Sequence, residues 1–117
     1  MKDFRSLLVW QKAHELTIDI YKATKQLPND ERFGLTSQMR RACASMPTNI
    51  AEGCGRGSNR DFQRFLQIAF GSASELDYQL ILVADLTYVA GPVYDDLYSK
   101  LLEIKRMLAS LSRKVQS

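Results

Sequence analysis

Apolar side chains recur at intervals of three and four along four stretches of the chain, and no sustained alternation of apolar and polar residues argues for a strand. In the first stretch Val9, Ala13, Leu16 and Ile20 stand one above another, and Leu27-Pro28-Asn29-Asp30 ends the run. The pattern predicts a helix over about residues 8–26. In the second, Met39, Ala42, Cys43, Met46 and Ile50 share one stripe of a helical wheel. That stripe stays in phase across Pro47, which predicts a single helix over about residues 35–53, kinked where the proline frees the Cys43 carbonyl. An interior proline costs about 3 kcal/mol unless neighbours compensate.

Gly53-Cys54-Gly55-Arg56-Gly57 breaks the second helix, and Ser58 with Asp61 three residues on reads as a capping box opening a third. Phe62, Ala69, Leu76 and Val83 repeat every seven residues, with Leu66, Ala73 and Leu80 on the adjacent track. This coiled-coil-like seam predicts a helix over about residues 59–90, stopped by Gly91-Pro92. The last helix, about residues 93–115, sets Leu97, Leu101, Ile104, Leu108, Leu111 and Val115 on one face, with Asp95 and Asp96 in a first turn that suits carboxylates. Four helices with short connections pack most simply as an all-α, up-down-up-down antiparallel four-helix bundle, one domain over residues 1–117.

Two of these helices carry more apolar surface than one core uses. Leu7, Trp10, Ile18 and Tyr21 lie off the first stripe, and Ile68, Phe70, Tyr78, Ile81 and Leu82 lie off the third seam. A helix apolar on most sides is buried on most sides, so a subunit interface is expected on the first and third helices, carried by Trp10, Tyr21, Phe70, Tyr78 and Ile81. Because the two surplus faces lie on different helices, a closed ring is favoured over a two-fold dimer.

Composition adds limits. At 45% hydrophobic and 25% charged residues the chain is ordinary globular material, and its 117 residues suffice for a core without staples. The uncharged stretch from Phe65 to Ser74 falls far short of the ~20 residues of a membrane span, and no signal-like apolar core follows Met1, so a cytoplasmic location is expected. Cys43 and Cys54, if carried on one helix, are ~16 Å apart and cannot bridge. With one histidine, no zinc set is expected, nor any other metal or cofactor.

Candidate catalytic residues are not found. His14 lies outside the core stripe with no nucleophile or carboxylate arranged around it. Glu52, Asp61, Glu75, Asp77 and Asp85 lack the Glu-x-x-His pattern of diiron bundles and read as solvated faces and caps. Gly53, Gly55 and Gly57 follow no strand and precede no Gly-Lys-Ser/Thr, so they read as a helix end and turn. Charge is more informative, because it is segregated: residues 1–64 carry +4, residues 65–99 carry −5 without one cation, and residues 100–117 carry +4. In the expected topology one pole collects Lys2, Arg5, Arg56, Arg60, Arg64, Arg113 and Lys114. Against Asp3, Glu52 and Asp61 this pole nets +4, whereas the other sets Lys22, Lys25 and Arg32 against Asp30, Glu31, Asp85, Asp95 and Asp96 and nets −2. The basic pole, with the free amides of the third helix, suits phosphate, while dipole matching and solubility account for the same charge equally well. With few aromatics among these arginines, binding would be dominated by backbone and shape. Gln38, Arg41, Ser45, Thr48 and Glu52 form a polar flank on the second helix that suits either solvent or a specific contact.

Leu8-Val9-Trp10-Gln11-Lys12-Ala13, Phe33-Gly34-Leu35-Thr36-Ser37-Gln38-Met39-Arg40-Arg41-Ala42 and Ser45-Met46-Pro47-Thr48-Asn49-Ile50-Ala51-Glu52-Gly53 resemble, in order, the four-helix-bundle proteins encoded within intervening sequences of bacterial 23S ribosomal RNA genes. Ile68-Ala69 and the run from Gly71-Ser72 to Glu75-Leu76 continue the resemblance. Cys43, Cys54 and Phe70 depart from it. The resemblance implies a ring-like homopentamer without enzymatic activity that binds nucleic acid, with Arg40, Arg41 and Arg56 at the matching basic positions. A related branch, the accessory proteins of diversity-generating retroelements, implies the alternative of a scaffold that recruits a nucleic-acid enzyme such as a reverse transcriptase.

Overall fold

A computed structural model of the chain describes residues 3–115 and contains four α-helices: α1 (Leu8–Thr24), α2 (Leu35–Cys54), α3 (Asn59–Asp85) and α4 (Gly91–Val115). Single 3-10 turns, Phe4–Ser6 and Asn29–Glu31, precede α1 and α2, and there is no strand among the described residues. Cross-helix pairs fix the topology. Thr17 meets Cys43 while Thr24 meets Arg40, Ser45 meets Ser72, Gln63 meets Ser112 while Asp77 meets Lys105, and Lys12 meets Glu103 while Asp19 meets Lys100. In each doubly tied pair, rising numbers on one helix meet falling numbers on the other, so neighbours run antiparallel. The backbones of the diagonal pairs, α1 with α3 and α2 with α4, stay more than 8 Å apart from Cα to Cα, giving an up-down-up-down bundle 44 Å long and 23 × 20 Å across.

The predicted stripes are the core. Leu16, Ile20, Met39, Met46, Ile50, Leu66, Leu76, Leu80, Leu101, Ile104 and Leu108 are fully enclosed, together with the alanines on the same faces of α1 and α3. Leu111 and Val115 are only half-buried, because the bundle opens toward the C-terminal end of α4.

Helix ends differ from the periodicity. α1 stops at Thr24, whose hydroxyl donates back to the Ile20 carbonyl at 2.7 Å. α3 stops at Asp85 rather than near residue 90. The Tyr88 amide donates to the Val83 carbonyl and the Thr87 amide to the Ala84 carbonyl, a Schellman turn with Thr87 at φ 58° in the left-handed region. A β-branched residue there is strained, so no glycine marks the stop. Gly91-Pro92, expected to end α3, instead opens α4, where a proline in the first turn loses no helical hydrogen bond. Asp95 and Asp96 therefore lie beyond the first turn.

α2 runs unbroken through Pro47. The Thr17 hydroxyl on α1 lies 3.4 Å from the freed Cys43 carbonyl, although its shorter bond, 2.7 Å, goes to Ala13. At the far end of α2, Gly53 lets α3 approach closely: a Cβ there would stand 2.9 Å from Phe62 Cδ1 and 3.0 Å from Phe65 Cβ. Glu31 ties the opposite pole together. One carboxylate oxygen accepts the Leu35 amide and the other accepts the Tyr88 hydroxyl, joining the α1–α2 and α3–α4 connectors. Burial, and then this carboxylate, push the Tyr88 hydroxyl above its ordinary pKa.

Candidate nucleic-acid interface

The basic pole forms where the α2–α3 connector meets the two chain ends. Ser58 caps α3 by accepting the Asp61 amide at 3.1 Å, as the sequence suggests. Beside it a cleft of about 490 Å³ opens between Arg56, Ser58, Asn59 and Phe62 on one side and Leu111 and Lys114 on the other. Arg60, Arg113 and Lys114 are exposed and make no ion pair or hydrogen bond among the described residues. Arg56 and Arg64 are committed: Arg56 pairs with Glu52 at 2.8 Å, Arg64 reaches Asp61 at 3.8 Å, and both lie over the Phe65 ring at 5.0 and 4.5 Å. Phe65 is thus an aromatic among the arginines that the sequence reading missed; at 7% exposure it offers no face to a base. Lys2 lies outside the described residues.

Dipole matching accounts for part of this charge. Arg113 and Lys114 occupy the last turn of α4, and Arg56 follows the end of α2, where cations are favoured. Arg60 is different: as the second residue of α3 it stands at the positive end of that helix dipole with no partner.

Arg40 and Arg41 lie away from the pole, on the outer side of α2. Arg40 donates to Thr24 Oγ1 at 2.9 Å and to the Tyr21 carbonyl at 3.2 Å, so it closes the end of α1. Arg41 is exposed and without such a bond. The polar flank of α2 is partly spent within the fold, since Ser45 accepts from Ser72 at 2.8 Å and from Asn49 at 2.9 Å.

Of the residues expected at a subunit interface, Tyr21, Phe70, Tyr78 and Ile81 are exposed, Tyr78 most at 62%. Trp10 is half-buried, its ring 5.0 Å from both Phe4 and His14, so part of its surface is used within the chain. Leu7 and Leu82, which lie off the main stripes, also pack on the core.

Cys43 and Cys54 are buried, and burial pushes the Cys43 thiol up to about 12, which makes it a poor nucleophile. No group of three or more metal-ligating side chains and no helix long and apolar enough to cross a membrane occurs among the described residues.

An antiparallel up-down-up-down bundle with a cationic pole and exposed apolar helix faces defines the class: small all-helical four-helix-bundle proteins. The chain belongs to the 23S rRNA-intervening sequence protein family, which it matches over residues 5–110. Among solved structures it is similar to a protein of unknown function from the S23 ribosomal protein family of Bacteroides thetaiotaomicron, with a TM-score of 0.84 and 28% identity over 94% of this chain and 100% of that one. No functionally curated protein shows significant similarity to it. Neither matching description names a reaction.

Proposed function

We propose that the protein is a non-catalytic, cytoplasmic nucleic-acid-binding homo-oligomer associated with ribosomal RNA intervening sequences, and that it engages structured RNA through its basic pole. The observation that carries this reading is Arg60, an exposed cation without an ion pair among the described residues at the positive end of α3, at the same pole as Arg113 and Lys114 in the last turn of α4. Local stability is not served by that placement, whereas a phosphate between the α3 amides and these cations is. Arg56 and Arg64 supply the rim of the same surface.

Binding should be sequence-tolerant and fall steeply as salt rises, because released counterions dominate the free energy. Titrating a labelled ribosomal RNA hairpin at low and physiological salt tests this. Wild type is expected to bind at low salt, and Arg60→Glu with Lys114→Glu to lose at least about tenfold in affinity. No binding by the wild type at low salt would sink the reading.

The exposed apolar face of α3, with Ile68, Tyr78 and Ile81, favours a second role as a scaffold for a nucleic-acid enzyme such as a reverse transcriptase. A reverse-transcriptase gene beside this one would support that role, and an rRNA operon the first.

A further inference from the structure

A second cationic surface lies on the flank of the bundle. A groove of about 730 Å³ follows the outer side of α2 next to α1, and it is lined by three arginines, Arg32, Arg40 and Arg41, and by no carboxylate. Phe33, just before α2, stands at its head with 85% of its surface exposed, more than any other large apolar side chain among the described residues. Arg32 lies over one part of that ring at 5.0 Å. Tyr21 forms the facing wall, held by Arg40, whose guanidinium lies 4.7 Å over its ring while donating to the Tyr21 carbonyl. Further along, Arg41 and the Thr48 hydroxyl are exposed.

These groups match one ligand chemistry. An aromatic ring left open to solvent offers a stacking face, guanidinium groups without a carboxylate partner attract phosphates, and the absence of acid along the walls removes the repulsion a polyanion would meet. From Leu35 to Thr48 the helix rises ~20 Å at ~1.5 Å per residue, room for a few nucleotides. A duplex keeps its bases stacked and cannot offer one to Phe33, whereas a single strand can. At the pole, Phe62 and Phe65 are each 7% exposed, and Phe65 lies under Arg56 and Arg64. We infer that the groove between α1 and α2 binds a single-stranded stretch of nucleic acid, one unpaired base stacking on Phe33 and the following phosphates running toward Arg41. This rests on the nucleic-acid reading above and assigns a separate surface and a different strand state.

The test uses the full chain with two probes, an unstructured oligonucleotide of about twelve residues and a hairpin with a fully paired stem closed by a short loop of self-stacked bases. Phe33→Ala and Arg41→Glu are each expected to weaken single-strand binding by about tenfold and to leave hairpin binding within about twofold. Arg60→Glu with Lys114→Glu is expected to weaken the hairpin more. Phe33→Trp in a Trp10→Phe background should lose fluorescence as the oligonucleotide saturates it, a direct sign of stacking that needs no comparison of folding. Unchanged single-strand affinity in Phe33→Ala, or no quenching in Phe33→Trp, overturns the inference and leaves the pole reading standing. Sedimentation altered in Phe33→Ala without a change in affinity also overturns it and marks the groove as a contact between copies. If the wild type binds neither probe at low salt, both readings fall together.

Discussion

Gly53 closes the second helical pattern and Gly71 sits inside the third, but position along the chain does not tell how an added methyl would fare at either. Their surroundings do. A methyl at Gly53 would press on Phe62 and Phe65 at 3.0 Å or less, while at Gly71, on the outer face of α3, it would meet nothing within 4 Å. Gly53→Ala is therefore expected to destabilise by about 1–3 kcal/mol through overpacking. Gly71→Ala should stabilise by about 0.5–1 kcal/mol by removing backbone entropy from the unfolded chain. Urea unfolding of the two variants checks this, and shifts of the same sign would contradict it. The same limit on legibility applies to charge: Arg40 and Arg41 are adjacent and alike in the sequence, yet one is spent on the end of α1 and the other is open. Which arginine is spent depends on the neighbouring helix, and periodicity within a single helix does not contain that information.

The four helices were readable because each buries one stripe, and burial imposes a period. Their ends were less so. The stop of α3 rests on Thr87 in a conformation that glycine normally announces, and Gly91-Pro92 is as good a helix opening as a stop. The passage of α2 through Pro47 was readable from phase alone, but the group that meets the freed carbonyl comes from α1. Thr17→Val keeps the side-chain shape and removes the hydroxyl near Cys43, so it is expected to cost about 1–3 kcal/mol. With Pro47→Ala, which restores the backbone bond, the same substitution should cost less. A double-mutant cycle measures the difference. Equal costs in the two backgrounds would show that Thr17 acts through its bonds with the Ala13 carbonyl and the Cys43 thiol rather than through the freed Cys43 carbonyl.

At the scale of the whole molecule, apolar residues remain outside the core on opposite corners of the bundle: Ile18 and Tyr21 on α1, and Ile68, Tyr78 and Ile81 on α3. Because these faces lie on diagonal helices, one copy's α3 face is free to meet a different face on the next, and we propose a closed ring on that ground. We propose five copies, the number that the family resemblance implies. Burial of each large side chain contributes about 1.5–3 kcal/mol, part of which offsets the entropy lost on association. Tyr78→Glu with Ile81→Glu is expected to convert the assembly to monomers in analytical ultracentrifugation. A wild type that sediments as a monomer at micromolar concentration, or an assembly that survives both substitutions, would show the face to be wrongly assigned. The two poles also differ in how they are fastened. At one, Glu31 ties both connectors through Leu35 and Tyr88; at the other, Gln63 near the start of α3 donates to the Ser112 carbonyl near the end of α4. A polyanion seated on the basic pole would add a clasp between the α2–α3 turn and the end of α4, and amide hydrogens there would then exchange with solvent more slowly.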